Sequence, residues 1–520
     1  MDRTTAESAA ESAAAPVTSR WPNPLIPGFN PDPSVVLVGG TYYLVTSTFE
    51  YLPGIPVYRS TDLLVWEHVG NVAQRPEQVA VERAPARCGV YAPTIRYHDG
   101  LFHVIVTVVA SPRGCVVFTA SDPAGPWSEG TPLQGVDGID PDLAWDDDGT
   151  AYVTYSALRL SGADVGRHFG IEQVRVDLAG GKALESPRPL WSGTGLRFPE
   201  APHLYRRGDF WYLVIAEGGT ERGHAVSVAR GTSPTGPFVG HPANPLMSAS
   251  GRPLPVQNTG HADLVRTPDG TWAMVLLGVR TLGDAQAFSP LGRETFITGL
   301  EWTDDGWPVA SPVELAARPD TERTVFSFED GATLDDPGWL AVRDIPGALA
   351  RLRSGRLVLE GRGVGLEDPQ PVFVGRRQRH LNATVSATVD VSDGAGGLAA
   401  RCDERHHLGI EAQTGDGGTA VTARAVLAGL RQEWRLTLPA SPVELRIEMR
   451  PPAQPSPALG GDRIRLLADG TLLAELDGRY WTTETSASFT GRVIGVYARE
   501  GTVRFGDYRY TGWEGTPTAA

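Results

Sequence analysis

The hydrophobic pattern of the chain repeats. A Gly/Asp turn followed by an apolar, aromatic-rich run occurs five times, as GGTYYLVTS (39–47), DGLFHVIVT (99–107), DGTAYVTYS (148–156), GDFWYLVIA (208–216) and DGTWAMVLL (269–277). With Tyr42, Leu101, Ala151, Phe210 and Trp272 as equivalent positions, successive copies lie 59, 50, 59 and 62 residues apart. Runs rich in Val, Tyr, Phe and Thr between turn formers read as strands. Three copies continue into a second shared piece, VYRSTDLLVWE (57–67), VFTASDPAGPWSE (117–129) and VARGTSPTGPFVG (228–240), which reads as an outer hairpin. Units of this length, with about four strands each and no helical period, predict propeller blades. The expected architecture over 21–315 is therefore a five-bladed β-propeller.

The repeat stops at ASPVELAARPDTERT (310–324), a polar stretch containing Pro, and 316–324 is expected to link two domains. Beyond it the pattern alternates or forms hairpins: GRLVLEG (355–361), ATVSATVDVS (383–392), VELRIEMR (443–450), IRLLADGTLLAEL (464–476) and VRFGDYRYTGW (503–513). Val385, Ala387, Val389 and Val391 alternate with polar neighbours, as a half-buried strand requires. This predicts an all-β chain whose second domain, 325–517, is an antiparallel β-sandwich of the concanavalin-like kind. Residues 1–20 read as a disordered leader and 518–520 as a tail.

Composition narrows the function classes. Gly (61) and Pro (42) are abundant without a collagen period, which suits short strands and turns. The net charge of −15 argues against nucleic acid or an anionic membrane as partner, since both reward basic patches. Lys182 is the single lysine, so the arginines reflect a general residue bias rather than a phosphate-binding pattern. Three separated cysteines, Cys88, Cys115 and Cys402, give neither a zinc motif nor a disulfide framework. No apolar core of a secretory signal follows the N-terminus, and a cytoplasmic location is the expectation.

Candidate chemistry sits just ahead of each repeated run, in NPDPS (30–34), YAPT (91–94), IDPD (139–142), PEAPH (199–203) and TGHAD (259–263). Matching positions of different blades converge on a propeller axis. Three of these segments carry an acid, Asp32, Asp140 and Glu200, while the second offers Tyr91 and the fifth His261. Like charges in one pocket raise each other's pKa, so three converging carboxylates point to acid–base work rather than to a scaffold. Asp146-Asp147-Asp148-Gly149 falls short of a calcium loop, because Ala144 stands where the first Asp belongs, and reads as a blade turn.

GFNPDPS (28–34), STFEYLPGIPVYRSTDL (47–63), GIDPDLAWDDDG (138–149), RFPEAPHLY (197–205), AEGGT (216–220), NTGHADLV (258–265) and LGRET (291–295) together resemble the motifs of glycoside hydrolase family 43, in kind and in order. More narrowly the chain is similar to the two-domain β-xylosidases of that family, over about 22–517. The resemblance implies an inverting, exo-acting hydrolysis of β-1,4-xylo-oligosaccharides, with α-L-arabinofuranosides as the alternative substrate and a non-catalytic sugar-binding propeller as the rival outside the class. It implies Asp32 as general base, Glu200 as general acid and Asp140 as the carboxylate that orients the acid and tunes its pKa. Arg293 matches an arginine that bonds substrate hydroxyls, Phe49 an aromatic wall of the sugar subsite, and Thr220 lies near the same pocket. Tyr91 stands where the family has a tryptophan. His261 resembles a channel histidine beside which some members hold a water-coordinated Ca²⁺; no cofactor is otherwise implied. Phe489, in SASFTGRVIGVYARE (486–500), matches an aromatic that the sandwich sends across the propeller mouth. A homo-oligomer is a further implication.

Overall fold

The computed structural model describes residues 21–316, 321–329, 332–439, 442–452, 459–486 and 488–515. The stretches read as leader (1–20) and tail (518–520) lie outside the described residues, as do 317–320 of the expected linker. Strand Glu322–Phe326 begins within that linker stretch and pairs with Tyr508–Trp513.

Each of the five predicted repeats is an antiparallel sheet of its own, four- or five-stranded, built from contiguous chain. The repeated apolar runs are the second strands: Thr41–Val45, Leu101–Val109, Ala151–Leu158, Phe210–Glu217 and Trp272–Arg280. They are apolar on both faces because each blade is covered by its neighbours; Leu44, Val104, Val153, Leu213 and Val275 are all fully buried. The innermost strands are Ser34–Val38, Thr94–His98, Ile139–Trp145, Glu200–Arg207 and Val256–Arg266, and they pack side by side around the axis. The ring closes through the segment before blade one. The Asn23 amide donates to Ile297 O (2.7 Å) and accepts from Ile297 N (2.9 Å), while Trp21, Leu25 and Ile26 fill the seam between blades one and five.

The second domain is a sandwich organised on one 20-residue strand, Asn382–Arg401. Its first half pairs with Val443–Arg450 and Tyr508–Trp513, its second half with His406–Gly415. The register against Val493–Phe505 shifts between Asp390 and Asp393, a bulge that lets one strand serve both layers. Val385, Ala387, Val389 and Val391 are fully buried, as their alternation predicts.

The two domains share backbone pairing. Tyr51–Leu52, leaving the loop that carries Phe49, pairs antiparallel with Leu340–Val342 of the sandwich. On the other side of the mouth Arg492 N donates to Pro290 O (3.1 Å), and Gly491 lies on Gly292; a Cβ on Gly491 would stand 2.1 Å from Leu291 O. Glycine is required there because two backbones touch. Both contacts fix propeller loops that border the pocket.

Candidate active site

The inner strands do not run straight into the ladder. Register shifts occur between Ile139 and Asp142, Glu200 and His203, and Gly260 and Asp263. The residues that make these bulges have positive φ although none is glycine: Asp140 (52°), Ala201 (50°) and His261 (51°), joined in blade one by Asp32 (57°). A left-handed backbone at such residues costs roughly 1–3 kcal/mol each and persists where the surroundings enforce it. Asp32 and Asp140 thus occupy one repeat position. Glu200 corrects the sequence expectation: Ala201 holds that position in blade four, and Glu200 comes one residue earlier. The three acids still meet: the charge of Asp32 raises Asp140, and those of Asp140 and Asp32 raise Glu200.

Their environments differ. Burial alone would raise Asp32, but it is held below the usual carboxylate range by the Arg293 guanidinium (Nη1 to Oδ1, 3.1 Å), by His261 (Nδ1 to Oδ1, 3.4 Å) and by the Ser47 hydroxyl donating to Oδ2 (2.6 Å). Burial pushes Asp140 up to about 7, and the Asp32 charge adds to it; one long hydrogen bond from Ala201 N (3.3 Å) works the other way. Glu200 is raised well above its ordinary value by burial, then by Asp140 and Asp32. One carboxyl is therefore kept ionised beside another that keeps its proton, the division that acid–base catalysis needs.

The remaining predicted residues surround this trio. Arg293 donates to both Asp32 and the Thr220 hydroxyl (2.9 Å), and its buried Nε–H has no partner among the described residues. Phe49, Tyr91 and Phe489 form one aromatic cluster, with centroids 5.7 Å (Phe49–Tyr91), 5.5 Å (Phe49–Phe489) and 5.9 Å (Tyr91–Phe489) apart. The Arg293 guanidinium lies 5.0 Å from the Phe489 ring centroid, and that of Arg87 4.4 Å. Phe489 is half-buried between a short helix, Thr483–Ser486, and the strand Val493–Phe505, outside the sandwich core. A cavity of 740 Å³, within the range of small-molecule sites, is lined by Thr220, Arg293 and Arg87 of the propeller and by Ser488 and Phe489 of the sandwich.

Sequence reasoning missed two groups. Ser47 and His224 support Asp32 from outside the acid motifs. His224 is buried, its pKa lowered to about 4 by burial, and its ring occupies the space a Cβ on Gly260 would need (2.4 Å). The second group lies on the axis. Arg96 of blade two donates to Asp142 Oδ1 (2.6 Å), Asp263 Oδ2 (3.0 Å), His203 Nδ1 (3.0 Å) and Ser34 Oγ (3.3 Å), one residue from every other blade. Ser34, Asp142, His203 and Asp263 share a repeat position two residues past Asp32, Asp140, Ala201 and His261; the recurring Asp in IDPD and HAD was the available signal. A calcium ion takes six to eight oxygen ligands, so one held beside His261 would draw most of them from water. The two axial carboxylates are committed to Arg96, and His261, lowered to about 3 by burial, faces Asp32 with one ring nitrogen.

A propeller whose mouth holds an ionised and a protonated carboxyl beside an arginine and an aromatic wall defines a glycoside hydrolase. The chain belongs to glycosyl hydrolase family 43: the model of that family matches residues 21–308, and that of the β-xylosidase C-terminal concanavalin A-like domain matches 328–510. It is 38% identical over 410 residues, 75% of either chain, to a non-reducing end alpha-L-arabinofuranosidase of Bacteroides ovatus. It is 33% identical over 511 residues, 92% of this chain and 95% of the relative, to a xylosidase/arabinosidase of Butyrivibrio fibrisolvens. Among solved structures, a xylan beta-1,4-xylosidase from Bacillus halodurans superimposes with a TM-score of 0.82 at 28% identity, covering 94% of this chain and all of that one.

Proposed function

We propose that this chain releases xylose from the non-reducing end of β-1,4-xylo-oligosaccharides by single displacement with inversion. The observation that carries the reading is the split between Asp32, held ionised by Arg293, and Glu200, held protonated by burial and two neighbouring carboxylates. Asp32 takes a proton from the water that attacks the anomeric carbon. As that C–O bond forms, the glycosidic C–O bond breaks and Glu200 protonates the departing oxygen. The cycle leaves Asp32 protonated and Glu200 ionised, and exchange with solvent resets both. Asp140 keeps the Glu200 proton in place, and the Arg293 Nε–H, without a partner among the described residues, is a donor for a sugar hydroxyl. Phe489 narrows the mouth, which favours trimming of chain ends over internal cuts.

A second reading, α-L-arabinofuranosidase or dual activity, is favoured by the names of the two relatives above. Initial rates on an aryl β-xyloside, an aryl α-L-arabinofuranoside and xylobiose, measured side by side, separate the two. Proton NMR in the first minutes of β-xyloside hydrolysis should show α-xylose. Initial β-xylose would exclude the single displacement.

A further inference from the structure

We propose that the Arg96 guanidinium is a built-in axial cation: it ties the inner strands of all five blades together where a divalent ion could otherwise bind, and so holds the segments carrying Asp32, Asp140 and Glu200 in register. The geometry is that of a hub. Arg96 comes from blade two, and its donors reach Ser34 of blade one, Asp142 of blade three, His203 of blade four and Asp263 of blade five. Ile95 N adds a bond to Ser34 Oγ (3.1 Å). Each contacted residue lies two or three positions from Asp32, Asp140, Glu200 or His261, across the left-handed bulge. Movement at the hub is therefore passed through a very short stretch of backbone to the acids.

Two buried carboxylates face one guanidinium, which offsets half of their charge. Asp142 and Asp263 are fully buried and their side chains expose nothing, so an unbalanced pair there would be expensive. The guanidinium presents five donors in a rigid fork, enough for both carboxylates and the imidazole. His203 Nδ1, 3.0 Å from the guanidinium, also lies 3.3 Å from Asp142 Oδ1, so one ring nitrogen is shared between the two, while Nε2 has no partner among the described residues. Removing the guanidinium would free two carboxylates around a vacated volume, oxygen donors of the kind that Ca²⁺ or Mn²⁺ takes with water completing the shell.

The activity arm of the test rests on the glycosidase reading; the binding arm does not. Wild type, Arg96→Lys and Arg96→Ala are stripped with EDTA, then titrated with CaCl₂ and MnCl₂ by calorimetry, thermal melting and initial rates. Wild type should keep its rate and melting temperature within twofold and one degree throughout, with no heat of binding. Arg96→Ala should lose at least thirtyfold in kcat with KM within threefold, bind one equivalent of metal, and regain at least fivefold in rate. Arg96→Lys, with one charge and no fork, should bind no metal and lose about tenfold in kcat. Wild type that fails without metal and recovers with it would overturn the proposal, as would a folded Arg96→Ala that keeps its kcat or stays blind to metal. If Arg96→Ala does not fold, Arg96→Lys decides: a folded variant with unchanged kcat ends the positioning role. Should wild type hydrolyse neither xyloside nor arabinoside, the functional reading falls while calorimetry still tests the hub.

Discussion

Asp140 and Asp142 stand two residues apart on one strand, both buried, and behave oppositely. Asp142 accepts from Arg96 and from Leu204 N (2.9 Å), and its pKa is drawn below the usual range against the pull of burial. Asp140 has one long bond, and burial, then the charge of Asp32, pushes its pKa up to about 7. The bulge between them divides the propeller core into two layers. On the axis both carboxylate charges are paired with Arg96 and the strands are locked together. At the mouth they are left unbalanced, and a proton is retained at neutral pH. A fold that can position three acids against their mutual repulsion needs the first layer to support the second.

The comparison is tested most severely at the mouth. Asp32→Asn should lower kcat by roughly 10²–10⁴-fold on every substrate, because no leaving group compensates for an absent base. Glu200→Gln should lose as much on xylobiose yet recover most of its rate on an aryl xyloside whose leaving group departs as a stable anion. Equal losses on both substrates for Glu200→Gln would reverse or void the two roles.

The aspartate pair comes next. Asp142→Asn removes one partner of a buried ion network and should cost about 3–5 kcal/mol of stability at neutral pH. Because the native pKa of Asp142 is lowered, that loss is present above pH 4 and fades as acid protonates the wild-type group. Asp140 has the opposite sign. Its native pKa of about 7 exceeds the ordinary 3.8, so its destabilising effect is absent below pH 4 and complete above 7. Asp140→Asn should therefore melt at or above the wild-type temperature at pH 8 and at the same temperature near pH 4. With its charge gone Glu200 loses its proton more readily, and the alkaline limb of kcat should move to lower pH. Two melting curves of the same sign at pH 8 would dissolve the distinction.

The sequence made the two layers unequally legible. The blades are legible because a turn and an apolar run recur five times, and the strands fall where those runs do. Asp32 and Asp140 stand out because a Pro follows each at one repeat position. Glu200 is found by its motif but displaced by one, since sequence spacing does not reveal where a bulge inserts its extra residue. Arg96 is illegible for a different reason: its partners are 46 to 167 residues away along the chain, and only ring closure brings them together. Phe489 is intermediate. Its flanking Ser, Thr and Gly mark a loop, while the propeller mouth it reaches is a property of the docked domains.

The smallest expected effect concerns that loop. Phe489 contributes one edge of an aromatic cluster completed by Phe49 and Tyr91 and is touched by Arg87 and Arg293, all four from the propeller. Its half-buried side chain has little sandwich core to lose, unlike Phe373 or Phe505, which are fully buried. Truncating either of those should cost about 3–5 kcal/mol through the cavity left behind. Phe489→Ala should leave the melting temperature within two degrees and instead open the mouth. Water would then reach the acids, weakening the electrostatics that separate Asp32 from Glu200. We expect xylobiose turnover to fall five- to tenfold, the aryl xyloside to be affected less, and some cleavage inside longer xylo-oligosaccharides to appear. Early melting with unchanged product lengths would place Phe489 with the structural residues and remove the sandwich from the account of specificity.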